Sequence, residues 1–327
     1  MKAILVDEEK RLHWRDVPDP VVQPDEVLVR IEAAGVNRAD LMQREGDYPP
    51  PPGCPEWMGL EVAGTVVEVG AEATAQSRWK AGDRVCALLG GGGYAQYVSV
   101  RHDMLMPVPE GCTMEEAAAM PEAFATAYLN LFLEGGIRLG DTLLITAGSS
   151  GLASVVIPLA RAFGVRVITT VRSAEAAQAI RHLNADIVVN TAQERLADVL
   201  RAQLAAGTPV DVAIDCLGGA EIGECLQYLR HGARWIMIAA LAGQRTEIDL
   251  KNVYVRNVRL IGSTLRSRAP EVKAQILRSL VRDVWPKVAA GQVRPTVTAV
   301  LPIEQAEAAH ELLYTGKSNG KVVLTVK

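Results

Sequence analysis

The chain has little of what builds a metal or disulfide framework. Its five cysteines (Cys54, Cys86, Cys112, Cys216 and Cys225) are scattered, odd in number and form no C-x-x-C pair. A disulfide scaffold and a structural zinc site are therefore not expected, and free, mostly buried thiols are. The histidines His13, His102, His182, His231 and His310 show no metal-ligand spacing either. There is no excess of basic charge: 34 Lys and Arg stand against 38 Asp and Glu, for a formal net charge of -4. That leaves no cationic field for a nucleic acid, so no nucleic-acid partner is expected. No stretch reaches the ~18 apolar residues of a membrane helix, so no membrane partner is expected either. The apolar run at Met1–Lys10 ends at Asp7, too short for a signal-peptide core, and a cytoplasmic location is expected. What the chain does have is length and hydrophobicity. With 327 residues, 49% of them hydrophobic, it can fill two cores.

The first third reads as β-rich. Val27–Ile31, Val62–Val69, Arg84–Leu89 and Tyr97–Val100 are short β-branched runs, interrupted by Gly and Pro. Pro49–Gly53 is stiff and cannot be helical, and Gly90–Gly93 is a loop. This pattern predicts a barrel-like β domain. Thr113 with Glu116 has capping-box spacing, and a helix runs on from there, is interrupted at Pro121 and resumes over Phe124–Leu133. A strict alternation follows. Strands over Asp141–Ala147, Arg166–Val171, Asp186–Asn190, Val210–Cys216, Arg234–Ala239 and Val258–Ser263 are separated by helical stretches for most of their length. Near-continuous apolar strands alternating with helices predict a doubly wound parallel sheet of Rossmann type. After a helical stretch to Lys287, a small β–α–β tail (Thr296–Leu301, Ile303–Leu313, Lys321–Val326) must join an existing domain, and the β-rich first third is the candidate. The expected organisation is 1–121, first part of a β-rich domain; 122–264, Rossmann domain; 265–327, return to the β-rich domain.

The turn Ala147-Gly148-Ser149-Ser150-Gly151-Leu152-Ala153 ends an apolar strand and opens a helix. Backbone there must come close to a pyrophosphate, and Gly148 and Gly151 permit it. The helix N-terminus offers free N–H groups and the positive end of its dipole. Simple strand-to-helix turn chemistry is the competing reading. The second strand ends Val171-Arg172-Ser173, with no acid for the ribose hydroxyls of NAD. Arg172 can pair with a 2′-phosphate and Ser173 can hydrogen-bond it, which favours NADPH, unless Arg172 is an ordinary surface residue. Asp215-Cys216-Leu217-Gly218-Gly219 and Ala239–Gly243 end the fourth and fifth strands at the edge where ligands bind. Pro158, inside the helix after the phosphate turn, removes one helix hydrogen bond and should bend the helix.

This order resembles the medium-chain dehydrogenase/reductase superfamily, in which a GroES-like catalytic domain is interrupted by a Rossmann domain. Zinc-dependent members hold metal with Cys in G-x-C-x-x-D and His in G-H-E. The corresponding stretches here are Gly35-Val36-Asn37-Arg38-Ala39-Asp40 and Gly59-Leu60-Glu61, with Asn37 and Leu60 in the ligand positions. The segment Gly90–Tyr97 runs through where a structural zinc lobe would sit. The zinc-free quinone oxidoreductase group is the better match, in particular the branch of the p53-inducible quinone oxidoreductase and its bacterial relatives. The matching stretches are Asn37–Arg44 with Tyr48, Trp79–Asp83, Leu105–Gly111, Pro121-Glu122-Ala123 and Leu265–Arg268.

The resemblance implies an NADPH:quinone oxidoreductase without metal, acting on a small-molecule quinone or enone and assembled as a homodimer through the edge strand Val258–Ser263. It implies NADPH contacts at Asn37, Thr126, Gly148, Ser150, Gly151, Leu152, Ser173, Gly218, Leu241, Leu265, Arg266, Ser267, Arg268 and Asn319, beside Arg172. It places Tyr48 and Asn37 toward the substrate. Tyr48 has packing against Pro49–Pro52 as its competing role, and Asn37 has backbone capping. Relatives usually carry a lysine where this chain has Ala176. Direct hydride transfer to a quinone needs no strong general acid. Two alternatives remain open: reduction of a C=C bond conjugated to a carbonyl, which needs a proton donor the sequence does not name, and a nucleotide-binding redox sensor with little catalysis.

Overall fold

The structure is a computed structural model that describes residues 1–327. In chain order the first part holds β1 (Lys2–Val6), β2 (Leu12–Asp16), β3 (Glu26–Val36), α1 (Arg38–Glu45), β4 (Glu61–Val69), α2 (Ala71–Gln76), β5 (Arg84–Leu88), β6 (Tyr97–Arg101), β7 (Leu105–Pro107), α3 (Met114–Ala118) and α4 (Pro121–Tyr128). The middle holds β8 (Thr142–Ile145), α5 (Ala153–Ala162), β9 (Arg166–Val171), α6 (Ala174–Ala179), β10 (Ile187–Asn190), α7 (Leu196–Ala205), β11 (Val212–Asp215), α8 (Glu221–Cys225), β12 (Arg234–Met237), α9 (Leu250–Tyr254) and β13 (Arg259–Gly262). The last part holds α10 (Pro270–Asp283), α11 (Trp285–Ala289), β14 (Val297–Pro302), α12 (Ala306–Tyr314) and β15 (Lys321–Thr325). The chain divides into two compact units, 1–125 with 266–327, and 126–265.

The first unit is built on a seven-stranded sheet in the order β14-β15-β3-β4-β5-β7, with β6 also paired to β3. Strand β3 is long enough to serve two partners on one side. Its Glu26–Arg30 half pairs β6 and its Ala33–Val36 half pairs β15. Through that second pairing the C-terminal tail enters the β-rich part of the chain. β14 and β7 are not paired to one another, so the sheet is not closed. The β1–β2 hairpin at the N-terminus was not anticipated from the sequence. The Thr113 capping box forms as the spacing predicts: Thr113 Oγ1 accepts from the Glu116 N–H at 3.2 Å, and the Glu116 carboxylate accepts from the Thr113 N–H at 3.0 Å. Pro121 begins a new helix rather than breaking one, because proline's missing N–H costs nothing in a first turn. That helix widens into a π-helical turn over Leu129–Glu134.

The second unit is a six-stranded parallel sheet in the order β10-β9-β8-β11-β12-β13. The strand order reverses between β8 and β11, which places a ligand crevice at their carboxyl ends. Leu144, Ile168, Ala213 and Trp235 on the strands pack against Leu196, Leu200, Ile222 and Leu226 from the covering helices. β13 lies at one edge. Helix α5 continues through Pro158 to Ala162. All five cysteines are free; three are buried and Cys54 and Cys216 are half-buried. No helix is long and apolar enough to cross a membrane.

Candidate active site

In the second unit the turn after β8 is shaped by close packing. The Gly148 N–H donates to the Thr170 carbonyl at 2.7 Å, and a Cβ on Gly148 would lie 2.5 Å from Thr169 Oγ1. Glycine is therefore needed at 148 because the turn packs on β9. Ala147 adopts φ 54°, the left-handed region, to reverse the chain. Ser150 Oγ accepts from the Ala153 N–H at 3.1 Å and caps α5. The N–H groups of Gly151 and Leu152 make no hydrogen bond in the protein. Two free donors at the start of a ten-residue helix are the groups that a phosphate would take.

At the end of β9, Arg172 is exposed and makes no hydrogen bond or ion pair. Ser173 caps α6, its Oγ accepting from the Ala176 N–H at 3.2 Å. One neighbour was not anticipated. The exposed Glu175 carboxylate is held below its ordinary range by backbone N–H donation and by the Ser173 hydroxyl. It adds negative charge two residues from the proposed 2′-phosphate position.

Asp215, buried at the end of β11, organises the next loop. It accepts from Thr146 Oγ1 at 2.8 Å, the Leu217 N–H at 2.9 Å and Trp235 Nε1 at 3.2 Å. Gly218 and Gly219 both have positive φ, and a Cβ on Gly218 would meet the Gly243 carbonyl at 2.5 Å. The loops after β11 and β12 are therefore zipped together by glycine. Leu241 is half exposed beside them. Thr126 lies in α4 and Leu265 is buried at the end of this unit.

The first unit carries a group of buried charges. Glu61, fully buried, is its hub. Its Oε1 accepts from Lys321 Nζ at 2.5 Å and from Asn37 Nδ2 at 2.9 Å, and its Oε2 accepts from the Glu122 backbone N–H at 2.9 Å. The Lys321 ammonium also donates to Asn37 Oδ1 at 2.7 Å. Both ends of the Asn37 amide are thus engaged with Glu61 and Lys321, and at the start of α1 it is Asp40 that accepts from the Asn37 backbone N–H, at 2.8 Å. Asn319 sits just before β15 in a left-handed conformation, two residues from Lys321.

Four further acids and bases line this interior. Burial, with Glu61 beside it, pushes the Glu122 carboxyl up to about 8; Lys321 and Lys273 oppose the shift. Burial pushes Asp40 up to about 6, against the donors from Asn37, Gly59 and Tyr94. Tyr94 gives its hydroxyl proton to Asp40 at 3.1 Å and lies 3.3 Å from His310 Nε2. His310 is held neutral by burial and by Arg44, its pKa down at about 3. With Tyr94 donating to Asp40, the His310 proton belongs on Nε2, and its Nδ1 is left without a partner.

Tyr48 is half-buried. Burial raises its phenol above the ordinary value, the Arg266 charge lowers it and Glu122 raises it. The Tyr48 hydroxyl makes no hydrogen bond within the protein. Arg266 is 6% exposed, and its hydrogen bonds lie in the first unit. It donates to the Tyr48 carbonyl, the Gly90 carbonyl and Gln43 Oε1. Ser267 is exposed and Arg268 half-buried on the same segment.

Sequence reasoning passed over the Glu61–Lys321 pair, the acids Asp40 and Glu122, and the Tyr94–His310 contact. One signal was available: Lys321 opens an apolar strand, and a lysine in a buried strand needs a counter-charge. Nothing in the sequence pairs Tyr94 with His310, 216 residues away.

The family profile of the alcohol dehydrogenase GroES-like domain matches residues 23–110, and that of the zinc-binding dehydrogenase matches residues 151–282. The quinone oxidoreductase of Thermus thermophilus, solved alone and in complex with NADPH, is 30% identical, with a TM-score of 0.82 over 100% of both chains. The chain belongs to the quinone oxidoreductase group of the medium-chain dehydrogenase/reductase superfamily. The quinone oxidoreductase of Mus musculus is 29% identical over 94% of this chain and 92% of that protein. The highly reducing polyketide synthase cm3B of Cordyceps militaris is 31% identical over 96% of this chain, which spans 12% of that protein's length. As a medium-chain oxidoreductase the chain combines a GroES-like unit with a nucleotide-binding sheet.

Proposed function

We propose that this oxidoreductase is an NADPH-dependent quinone reductase that works without zinc. The observation that carries the metal-free reading is the Glu61–Lys321 pair. In the two motif positions that hold metal in zinc-dependent members stand Asn37 and Leu60, an amide and a hydrocarbon. The neighbouring carboxylate, Glu61, is taken up by the Lys321 ammonium at 2.5 Å. No three His, Cys, Asp or Glu side chains are grouped to hold a metal ion. A dication placed beside a buried ammonium would be repelled, and the donor set does not fit zinc. Elemental analysis of the purified protein should find far less than one metal per chain. Stoichiometric zinc, lost together with activity on chelation, overturns this reading.

The free N–H groups of Gly151 and Leu152, with the unpartnered Arg172, support a dinucleotide carrying a 2′-phosphate. When bound, NADPH supplies the hydride. Tyr48 supplies a neutral phenol at neutral pH, as any phenol at or above its ordinary pKa does. Its free hydroxyl can donate to a substrate carbonyl and favour the oxyanion that forms as hydride arrives. The substrate class is tested by product analysis with a panel of quinones and conjugated enals under NADPH; hydroquinone as the sole product is the expected result. A second reading, reduction of a conjugated C=C bond, gains support from Glu122. Its carboxyl, pushed up to about 8 by burial and Glu61, is largely protonated at neutral pH, which makes it a candidate for the donor that the sequence did not name. Saturated carbonyl products would select that reading.

The edge strand β13 and the exposed Leu250, Tyr254 and Val255 on and just after the preceding helix α9 support a two-fold homodimer joined edge to edge. Light scattering at micromolar concentration should give twice the chain mass, and a monomer overturns this assignment.

A further inference from the structure

Arg266 is an unusual residue to bury. The residue is 6% exposed, and no carboxylate pairs with its guanidinium. Every oxygen that receives it is neutral. Nε and Nη2 donate to the Gly90 carbonyl at 2.9 and 2.6 Å, Nη2 to Gln43 Oε1 at 2.7 Å, and Nη1 to the Tyr48 carbonyl at 3.1 Å. Its own carbonyl accepts from Lys273 Nζ at 3.0 Å. One side chain thus ties its own segment to two stretches far away in the chain: α1 with the Tyr48 loop that follows it, and the tetraglycine loop. The fixed planar fork of arginine suits three acceptors at once, which lysine cannot match.

The same guanidinium lies over the Tyr48 ring, with Cζ 4.8 Å from the ring centroid. A cation over an aromatic face is attracted by the ring quadrupole, more strongly when water is excluded. No acid pairs with Arg266, and its charge lowers the phenol's pKa against burial and Glu122, which raise it. The phenol becomes a better hydrogen-bond donor, and negative charge growing on an oxygen beside it is stabilised. The tetraglycine loop that receives Arg266 packs closely on the 54–55 segment. A Cβ on Gly90 would lie 2.4 Å from Cys54 Sγ, and one on Gly92, which has φ +93°, would lie 2.9 Å from Pro55 Cγ.

We propose that Arg266 is the positioning residue of Tyr48, fixing the ring by stacking and by the backbone bond while its uncompensated charge strengthens the hydroxyl as a donor to the substrate oxygen. The proposal rests on Tyr48 being that donor. It gives Arg266 a task apart from the nucleotide contact that the family resemblance implies for its segment.

The test uses the full-length enzyme with NADPH and a simple quinone, and the variants Tyr48→Phe, Arg266→Gln, Arg266→Lys and the double variants. The Tyr48 phenol is read as the pH-difference absorbance near 295 nm that Tyr48→Phe removes. In Arg266→Gln this titration should move to higher pH, and kcat should fall about tenfold. KM for NADPH should change little. Arg266→Lys keeps the charge but not the fork, and should return the titration toward wild type while restoring only part of kcat. In the Tyr48→Phe background the loss from either Arg266 variant should shrink to about twofold or less. An unmoved phenol titration, or a loss fully additive with Tyr48→Phe, overturns the positioning role. Wild-type turnover by Tyr48→Phe overturns the donor reading and this proposal with it, whereas an additive loss beside a crippled Tyr48→Phe overturns this proposal alone. If Arg266→Gln does not fold, Arg266→Lys carries the same comparisons.

Discussion

Glu122 offers a test of the buried acids through stability rather than turnover. Its carboxyl rises from an ordinary 4.5 to about 8, chiefly through burial and then through Glu61. The raised value means that the folded protein holds the proton more tightly than the unfolded chain does. Below pH 4.5 both states are protonated and Glu122 takes nothing from stability. As pH rises from 4.5 the unfolded chain ionises while the folded site does not, so stability falls steadily until the folded group ionises near pH 8. At about 1.4 kcal/mol per unit the full shift would amount to about 5 kcal/mol. Glu122 is not wholly buried, so this figure is an upper bound, and a difference of at least about 2–3 kcal/mol is expected. Glu122→Gln, which is neutral at every pH and similar in shape, should therefore match wild type near pH 5 and exceed it by that amount near pH 9. Urea unfolding of both proteins at pH 5, 7 and 9 measures this directly. Asp40, raised to about 6, adds a smaller slope of the same sign between pH 4 and 6 in both proteins and cancels in the comparison. Parallel stability curves for mutant and wild type would show that Glu122 is not held protonated, and the second functional reading would lose its proton donor.

The other predictions concern the Glu61–Lys321 pair and the choice of cofactor. Lys321→Met leaves Glu61 buried without its cation and should cost about 3–5 kcal/mol by urea unfolding, whereas adding Glu61→Gln to it should recover part of that loss; equal losses would remove the pair from the core's energetics. NADPH should bind at least about tenfold more tightly than NADH, since a guanidinium–phosphate contact is worth ~1.5–3 kcal/mol. Arg172→Ala should remove most of that difference in fluorescence titrations and leave NADH binding unchanged; equal wild-type affinities refute the assignment. Glu175→Gln should tighten NADPH by a few-fold, because it removes a negative charge two residues from Ser173; no change would place Glu175 away from the phosphate.

Local pattern was enough for most of the elements and their order, the N-terminal β1–β2 hairpin apart. Strand β9 spans the residues its β-branched run marked, Arg166–Val171, and the Thr113–Glu116 capping box forms as spaced, because both depend on interactions within a few residues. The alternation of apolar strands with helices was enough for a parallel sheet, since only that sheet buries both faces of each strand. The residue types at the two motif positions, Asn37 and Leu60, are likewise read from the sequence alone. What the sequence could not supply was partnership across long separations. Arg266 read as part of a nucleotide-contacting segment, yet its guanidinium reaches Tyr48 and Gln43, 218 and 223 residues away. Asn37 read as a substrate-facing or capping residue, yet its amide bridges Glu61 and Lys321. Glu122 read as one member of a motif, and became an acid of raised pKa only once Glu61 and a desolvating interior surrounded it. Residue type and spacing decide which groups a chain has to offer; their charge states and alliances depend on burial and on neighbours brought from elsewhere in the chain, and those exist only in the folded protein.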